Sequence, residues 1–421
     1  MIATVRIDGR PRARLWVAVA LAIALVSTTM SVRSRAPSPL LGTAPVGQDP
    51  TALAVDEPHG RLFVTNSADA TVSVLVASDG RLLSTVRVGP CPAAVAVAPH
   101  TGRVFVANLC ANSMSVLDAS TGMLLRSVTV GGAPRAIAVA PQAEHIVVAN
   151  SSDDTVSLLD ARTGAVLRAV RVGPGPTAVT SDARTGHAFV LSAGVQSDAE
   201  LRPPSLDTDT LSVLDARTGA LLRTVRVGRR PSAVAVDPRT GHVFVANTGS
   251  NSVSVLDARS GALLRTVAVG LGPDAVAVDT TRRRGIVANG SEDTVSVLDA
   301  GSGQVLSTVR VGLGPSAVAV DGRRGHALVT AFYAKGVSVL DVRSGVILRT
   351  IAVGVHPLAV AISERTGRAF VVNSGGAVRA SRPWWADDVQ RLRRWLPWLP
   401  HPLSGVRTEP GSVSVLDTAR L

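Results

Sequence analysis

The sequence predicts an all-β protein that folds as a single closed β-propeller of eight four-stranded blades. The motif Val-Gly-x-x-Pro occurs eight times, at a spacing of 42 residues interrupted by one step of 55. Each repeat holds four short strand-like runs, and the two ends of the chain supply complementary parts of one blade. Four strands in a period of about 40 residues are typical of a propeller blade. The motifs begin at Val46, Val88, Val130, Val172, Val227, Val269, Val311 and Val353.

Residues 89–130 illustrate one repeat. The runs are rich in Val, only five to seven residues long, and separated by turn residues such as Gly, Pro and Asn. This pattern favours strands over the helices of a helical solenoid. The run in which Ala alternates with Val is expected to be innermost, because small side chains suit the narrow centre of a propeller. The four runs lie at about 93–98, 103–107, 113–118 and 124–130.

Ring closure follows from the chain ends. The last repeat ends at 412–421, "SVSVLDTARL", after three strands and without a fourth. Residues 40–47, "LLGTAPVG", resemble fourth strands such as "LLRTVRVG" at 221–228. We therefore expect a three-plus-one clasp in which the N-terminal strand completes the eighth blade. Pro45 is compatible with an outer edge strand, where its missing N–H leaves no ladder bond unmade.

The repeats resemble those of YVTN-repeat β-propellers, a family of surface-layer and exported bacterial or archaeal proteins. The matching segments are each followed by a run like "SVSVLD", and the resemblance covers about residues 40–421. The resemblance implies the fold rather than an activity, because this architecture occurs in lactonases, oxidoreductase subunits, adhesins and scaffolds. Many members have seven blades, so eight is a departure from the family. The segments are "LFVTN" at 62–66, "VFVAN" at 104–108 and 243–247, and "AFVVN" at 369–373.

Residues 1–36 are expected to form a signal peptide or signal anchor, ahead of a propeller domain at 37–421. The segment begins with four arginines, which the apolar run at 15–26 follows. Twelve apolar residues suit a signal-peptide core better than a span of ~20 residues. Cleavage stays open, so residues 15–32 could anchor the protein in a membrane. Either outcome places the propeller outside the cytoplasm, whether secreted, periplasmic or at the cell surface.

The net charge of +12 does not indicate nucleic-acid binding. Nucleic-acid proteins focus their basic residues in one stripe and interleave them with stacking aromatic residues. Here aromatic residues make up 3% of the chain and the arginines recur by repeat position. Together with the export signal, this argues against a nucleic-acid partner. We expect a monomeric propeller.

The two cysteines, Cys91 and Cys110, are candidates for a disulfide. Cys91 lies in the loop that enters blade 2, and Cys110 in the loop between the second and third strands of that blade. Both loops share one face of a propeller, and an oxidising compartment would favour the bond. The alternative is two small unpaired residues.

Loops sort by face because propeller strands alternate in direction. We call the face with the turns between strands one and two and between strands three and four the turn face. There every second strand begins with Arg or His, which predicts a basic ring. The ring fits solvent-exposed strand starts, or an anionic partner such as lipid headgroups or acidic glycans. Its members are Arg61, Arg103, His145, His187, His242, Arg284, His326 and Arg368.

We call the opposite face, which carries the Val-Gly-x-x-Pro loops and the loops between strands two and three, the insertion face. Two long insertions lie there, at about 192–209 in blade 4 and about 374–411 in blade 8. Blades 4 and 8 face each other across an eight-blade ring, so both insertions could reach the central mouth. Loops on a rigid scaffold commonly carry specificity. The acidic residues of this face are Asp69, Asp153, Asp154, Glu292 and Asp293.

The second insertion contains four of the five tryptophans. An apolar stripe from Trp385 to Leu396 has helical spacing and stops at Pro397. The segment could pack on its own propeller as a lid. Alternatively, tryptophans beside arginines suit docking to a membrane surface or a partner. The candidate anchors are Trp384, Trp385, Trp395 and Trp398.

The Asp of each "SVSVLD" run and the Asn after most second strands invite a catalytic interpretation. Because they recur in nearly every blade, we interpret them as turn caps and structural residues. Chemistry in a symmetric ring needs residues that break the symmetry. Asp49 and His356 occupy equivalent positions in adjacent blades, either as a general-base pair or as two separate exposed charges. The residues near the mouth that break the symmetry are Asp49, Arg135, Arg229, Arg230, Asp274 and His356.

The sequence contains no zinc-ligand spacing, nucleophile elbow, phosphate loop or haem-attachment motif. We therefore predict no metal site, cofactor or catalytic residue. The leading hypothesis is an exported, non-catalytic propeller that binds a protein, glycan or small molecule through its insertion face, with possible contact to a membrane surface. The alternative is an exported enzyme, lactonase-like or quinoprotein-like, that uses the mouth residues. Adhesion in a surface layer is a third hypothesis.

Overall fold

In a computed structural model of the chain, the described residues are 38–194, 209–377 and 408–421. They form eight four-stranded antiparallel sheets, which confirms the prediction of eight blades. One compact unit contains Pro39–Ala419 and Leu421. A second unit contains Met1–Ser38 and Arg420, and of it only Ser38 and Arg420 are described. The signal segment expected at 1–36 therefore lies outside the described residues.

The innermost strands all begin at the repeat proline, where no N–H is required for the ladder. Consecutive innermost strands contact one another around the ring, and the last contacts the first. Their central residues are partly buried, with Val side chains packed into the cores between blades. These strands are β2 (Pro50–Asp56), β6 (Pro92–Ala98), β10 (Pro134–Ala140), β14 (Pro176–Asp182), β18 (Pro231–Asp237), β22 (Pro273–Asp279), β26 (Pro315–Asp321) and β30 (Pro357–Ser363).

The second strands carry the centre of the hydrophobic core. Their central residues are fully buried, and five of the six phenylalanines lie on them with no exposed surface. Burying one such side chain contributes roughly 2–3 kcal/mol. The strands are β3 (Arg61–Asn66), β7 (Arg103–Asn108), β11 (His145–Asn150), β15 (His187–Ala193), β19 (His242–Asn247), β23 (Arg284–Asn289), β27 (His326–Ala331) and β31 (Arg368–Asn373).

The third strands pair with the second along their full length and are buried between neighbouring blades. Seven of the eight, including that of the closing blade, end in the repeated Asp with its backbone in the ladder, and β4 ends in Val76 instead. These strands are β4 (Thr71–Val76), β8 (Ser113–Asp118), β12 (Thr155–Asp160), β16 (Asp209–Asp215), β20 (Ser252–Asp257), β24 (Thr294–Asp299), β28 (Gly336–Asp341) and β34 (Ser412–Asp417).

The fourth strands form the outer edge, and most of them expose a pair of apolar residues at their start. Exposure is expected there because no further strand or blade covers the outer wall. These strands are β5 (Leu82–Arg87), β9 (Leu124–Thr129), β13 (Val166–Arg171), β17 (Leu221–Arg226), β21 (Leu263–Ala268), β25 (Val305–Arg310), β29 (Ile347–Ala352) and β1 (Leu40–Pro45).

The eighth blade has the strand order β1-β34-β31-β30, which confirms the three-plus-one clasp. The N-terminal strand pairs with the last one through Leu40 opposite Leu416 and Pro45 opposite Ser412. At the base of the second insertion, β32 (Gly376–Ala377) pairs with β33 (Thr408–Glu409). The first insertion is shorter than the predicted 192–209, because β15 continues to Ala193 and β16 begins at Asp209.

The described residues contain no α-helix, only four 3₁₀ turns at Leu109–Ala111, Pro141–Ala143, Thr248–Ser250 and Thr418–Arg420. Within the same part of the chain, no helix has the length and apolar character needed to cross a bilayer.

Candidate binding site at the insertion face

The insertion face is a frame of loops joined by backbone hydrogen bonds. The residue before the repeat proline has φ between +48° and +63° in every blade. In this conformation its carbonyl accepts an amide hydrogen bond, at 2.7 to 3.2 Å, from a residue at or just after the end of the second strand. The two loops of each blade are therefore held together before any side chain contributes. The eight residues are Asp49, Cys91, Ala133, Gly175, Arg230, Gly272, Gly314 and His356.

A buried asparagine lies beneath most of these loops. In blade 2, a Cβ on Gly89 would lie 2.6 Å from Cγ of Asn108, so the motif needs glycine for close approach. The Asn108 amide donates to the hydroxyls of Ser113 and Ser115, at 3.1 and 3.0 Å. This confirms the structural interpretation of the repeated Asn. The same pattern holds for Asn66, Asn150, Asn247, Asn289 and Asn373.

Blades 4 and 7 lack this asparagine, and both show the consequence. Ser192 and Ala331 stand in its place. In these two blades the third-strand hydroxyls of Ser212 and Ser338 are buried without a hydrogen-bond partner. The asparagine amide is therefore what satisfies the buried serine in the other blades.

The acidic residues of the insertion face support the loops rather than forming a ligand site. Each carboxylate accepts a backbone amide hydrogen bond from a Val-Gly-x-x-Pro loop, as Asp69 does from Gln48 at 2.7 Å and Glu292 from Leu271 at 3.0 Å. Among the described residues, no group of three or more His, Cys, Asp or Glu could hold a metal ion. Asp153, Asp154 and Asp293 make equivalent bonds to Gly132, Gly175 and Gly314.

The two predicted mouth arginines are exposed and positioned by their backbones. The amide of Arg229 donates to the Ser250 hydroxyl and that of Arg230 to the Asp209 carboxylate, both at 3.0 Å. Neither guanidinium has a hydrogen bond or ion pair to the described part of the chain. Both positive charges are therefore available to a ligand.

Partial removal from water raises the pKa of the Asp274 carboxyl group above its ordinary value. The hydroxyl of Thr248 donates to it at 3.4 Å, and the charge of Arg230 favours its ionised form. These two effects oppose the desolvation. No ion pair within 4.0 Å joins Asp274 to another described residue of the mouth.

The predicted general-base pair of Asp49 and His356 does not form. Nδ1 of His356 lies 2.9 Å from the Gly375 carbonyl oxygen, so Nδ1 carries the proton and donates it. The imidazole stacks on Phe332, with ring centroids 4.5 Å apart and planes 11° apart. Because the ring is directed by Gly375 and Phe332, Asp49 has no part in positioning it. Nε2 remains as an acceptor without a partner in the described structure.

The stack of His356 and Phe332 extends to Tyr333, whose ring meets that of Phe332 edge to face at 5.0 Å. Tyr333 is 70% exposed, and its ring lies over Gly314, where a Cβ would come within 2.6 Å of Cδ2. We call Phe332, Tyr333 and His356 the aromatic platform. It lies on the insertion face, in blades 7 and 8.

Sequence analysis missed Phe332 and Tyr333 as site residues. A usable signal was present, because the loop after the second strand of blade 7 reads Ala-Phe-Tyr-Ala-Lys where most other blades carry small polar residues. This is the same symmetry-breaking criterion that identified His356. The predicted mouth residues all lie in or beside the Val-Gly-x-x-Pro loops, whereas Phe332 and Tyr333 lie in the neighbouring loop after the second strand.

The four tryptophans proposed as anchors, Trp384, Trp385, Trp395 and Trp398, lie outside the described residues, as do most residues of both insertions. The described structure places both attachment points of each insertion on the insertion face, at the ends of second and third strands.

Cys91 and Cys110 form a disulfide, with their Cα atoms 5.4 Å apart. It joins the motif loop of blade 2 to the following loop between strands two and three. Leu109 also donates an amide hydrogen bond to the Cys91 carbonyl at 3.0 Å. The covalent bond therefore reinforces a contact that the other blades make by hydrogen bonding alone.

On the turn face, seven of the eight basic-ring residues stand directly opposite an Asp of the third strand. Arg103 pairs with Asp118 at 2.9 Å, and Arg368 with Asp417 at 3.0 Å. Three histidines instead donate from Nδ1 to a backbone carbonyl of the next blade, as His187 does to Ala258 at 2.9 Å. Much of the predicted positive ring is thus compensated within the fold. The other two histidines that donate to the next blade are His145 and His242.

Sequence and structure comparisons agree on the fold. A model of the YNCE-like beta-propeller family matches residues 17–368. No curated protein sequence matches the chain.

Many solved structures are similar to it, including two at low sequence identity. Kuenenia stuttgartiensis hydrazine synthase is 17% identical with a TM-score of 0.56, over 70% of this chain and 96% of that chain. Dihydro-heme d1 dehydrogenase NirN in complex with DHE is 16% identical with a TM-score of 0.62, over 84% of this chain and 79% of that chain. Similarity at such low sequence identity shows a shared fold and does not indicate a shared activity.

Proposed function

The chain belongs to the YNCE-like β-propeller family, and from that premise we propose that it is an exported, non-catalytic module that binds a ligand or partner through its insertion face. The main support for this proposal is the aromatic platform. It presents an exposed tyrosine and a stacked imidazole on a frame whose loops are already hydrogen-bonded. Such preorganisation lowers the entropy lost on binding.

The chemistry of the platform favours a ligand with a flat, partly apolar face. Tyr333 offers most of one ring to solvent, and His356 offers the acceptor Nε2. Aromatic side chains supply large contact areas at low conformational cost, with a polar atom at the edge. A pyranose ring of a glycan or a small aromatic molecule fits this description. Arg229 and Arg230 could add recognition of negative charge elsewhere on the face.

Two further features support parts of the proposal. The Cys91–Cys110 disulfide supports an oxidising compartment, whether secreted, periplasmic or at the cell surface. The tryptophan-rich insertion, with Trp384, Trp385, Trp395 and Trp398, remains the proposed anchor for a partner or a membrane surface. The resemblance to YVTN-repeat proteins belongs to the same proposal and points to a cell-surface role.

The alternative function is an enzyme of lactonase-like or quinoprotein-like type. One observation favours it, namely that the Gly375 carbonyl fixes the tautomer of His356 and leaves Nε2 able to accept a proton. Against it, no carboxylate orients this histidine in the described structure. The two solved structures named above are enzymes by name, and at 16–17% identity they support the fold only.

The test is calorimetric titration of the full-length protein with a panel of neutral and acidic oligosaccharides, a γ-lactone and a ubiquinone analogue. Tyr333→Ala and deletion of 378–411 address the platform and the insertion. Met123→Ala is the control, because Met123 is 65% exposed on the turn face. We expect one oligosaccharide or the planar ubiquinone analogue to bind the parent and the control alike, and Tyr333→Ala to weaken this binding at least about tenfold. Turnover of the lactone that His356→Gln abolishes would contradict the non-catalytic proposal and support the enzyme.

A further inference from the structure

Blade 6 departs from the other blades on the turn face. Its turn between the first two strands reads Thr281-Arg282-Arg283-Arg284, where blade 5 reads Arg-Thr-Gly-His. Arg283 has φ +56°, a left-handed conformation that six other blades give to glycine. A side chain with a Cβ costs about 1 kcal/mol or more in this conformation. Strain of this kind often accompanies function.

Arg282 reaches across to blade 7. Its Nη1 donates to the Asp279 carboxylate at 3.2 Å and to the Gly322 carbonyl at 2.8 Å. The guanidinium lies against Gly325, where a Cβ would come within 2.2 Å of Nε. Its side chain is only 23% exposed, and these two hydrogen bonds hold the guanidinium in place.

Arg284 is held in the same way within its own blade. Its Nη1 donates to Asp299 at 3.1 Å and to the Arg283 carbonyl at 3.2 Å. Nε of Arg284 is buried without a hydrogen-bond partner. In blade 5 the equivalent His242 donates to Ala300 of the next blade at 2.8 Å, whereas Arg284 turns back and leaves the space beside blade 7 open.

These two arginines and Arg343 of blade 7 line a cleft of about 460 Å³ together with Thr281. No carboxylate is among the described residues that line it. Arg343 is exposed, and its guanidinium has no hydrogen bond or ion pair to the described part of the chain. The bonds above use only Nη1 of Arg282 and Arg284, so their Nη2 donors are also free. The cleft thus combines two guanidiniums, each held through Nη1 by a carboxylate of its own blade, with the exposed guanidinium of Arg343, which no described carboxylate pairs with.

We propose that this cleft between blades 6 and 7 is a binding site for a phosphate-type oxyanion. Guanidinium groups recognise tetrahedral oxyanions through paired N–H donors, and three converging groups can satisfy several oxygens at once. The guanidinium of Arg343 and the Nη2 atoms of Arg282 and Arg284 have no acceptor among the described residues, so they can donate to such an anion. The site lies on the turn face and is independent of the function proposed for the insertion face. A free phosphate monoester and the headgroup of an anionic lipid share this chemistry.

The test uses the full-length protein, titrated with inorganic phosphate by calorimetry at low ionic strength, and separately sedimented with phosphatidylglycerol vesicles and phosphatidylcholine vesicles. Arg343→Ala removes the free guanidinium. Arg217→Ala is the matched control, because Arg217 occupies the same turn position in blade 4, is exposed and lines no part of the cleft. Melting of each variant without anion shows whether it is folded.

We expect saturable binding of one phosphate that Arg343→Ala weakens at least about tenfold and Arg217→Ala leaves unchanged. Vesicle binding with the same dependence, displaced by free phosphate, would support the site and assign the anion to lipid headgroups. Equal losses in the two variants would overturn the proposal, because they would reflect general electrostatic attraction. Absence of saturable binding to both phosphate and phosphatidylglycerol would also overturn it.

Discussion

The imidazole of His356 and the ring of Phe332 stack with centroids 4.5 Å apart, joining the motif loop of blade 8 to blade 7. His356 adopts φ +53° in the position where three other blades have glycine. The stack and the hydrogen bond to Gly375 therefore offset a backbone that the side chain itself disfavours. These opposing effects can be separated by substitution.

We expect His356→Ala to lower the free energy of unfolding by about 1–2 kcal/mol, since it loses the stack and the hydrogen bond but keeps the strained backbone. His356→Gly should cost less, because glycine accepts the positive φ freely. Urea unfolding measures both. As a control, Ala133 has φ +50° and no aromatic partner, so Ala133→Gly should be neutral or stabilising. Equal costs for the two His356 variants would contradict this account.

The buried asparagine is expected to stabilise each blade that contains it. Asn108→Ala removes the partner of two serine hydroxyls and should cost about 1–3 kcal/mol in urea unfolding. The reverse change is available in blade 7, where Ser338 lacks a partner beside Ala331. Ala331→Asn should gain about 1 kcal/mol if the amide reaches Ser338. A loss of stability in Ala331→Asn would show that the loop of blade 7 has no room for the amide.

The disulfide should contribute to stability by shortening a loop of the unfolded chain. Cys91 and Cys110 are 19 residues apart, for which we expect about 3 kcal/mol. Reduction should lower the melting temperature of the parent protein, and the double variant Cys91→Ser/Cys110→Ser should melt at the reduced value. Reductant should leave the double variant unchanged. A reduced parent that melts like the oxidised one would refute a stabilising role.

The stability of the protein in acid should depend on the repeated Asp residues that cap the turns after the third strands. The Ser120 hydroxyl and the amides of Ser120 and Thr121 hold the pKa of Asp118 down from 3.8 to about 2. Since the folded value is the lower one, this contribution is complete above about pH 4 and is lost as the pH falls from about 4 to about 2. Ser120→Ala should raise the pKa of Asp118, so that the stability contributed by this carboxylate is lost at higher pH.

The measurement is an NMR titration of the Asp118 carboxyl carbon together with unfolding at pH 7, 4 and 2. Ser78 is the matched control, because it occupies the same turn position in blade 1, where Val76 stands in place of the Asp. Ser78→Ala should not move the acid transition. An unchanged Asp118 titration in Ser120→Ala would contradict the assigned role of the Ser120 hydroxyl in lowering the pKa.

The repeat by itself determined the number of blades, the strands, the clasp and the face on which each loop lies. These follow from local properties that the sequence displays directly, namely the 42-residue period, the alternation of apolar residues and the turn chemistry. The structural roles of the repeated Asp and Asn could also be inferred, because a residue present in almost every blade serves what the blades have in common.

Only the tertiary structure decided which side chains meet. Asp49 and His356 are equivalent in sequence, yet His356 contacts Phe332 and Gly375 instead, because its direction is set by the left-handed backbone and the neighbouring loop. Arg284 and His242 share a repeat position, yet one turns back to its own blade and the other reaches the next. Both outcomes depend on contacts between blades, and a repeat pattern holds no information about such contacts until the ring is closed.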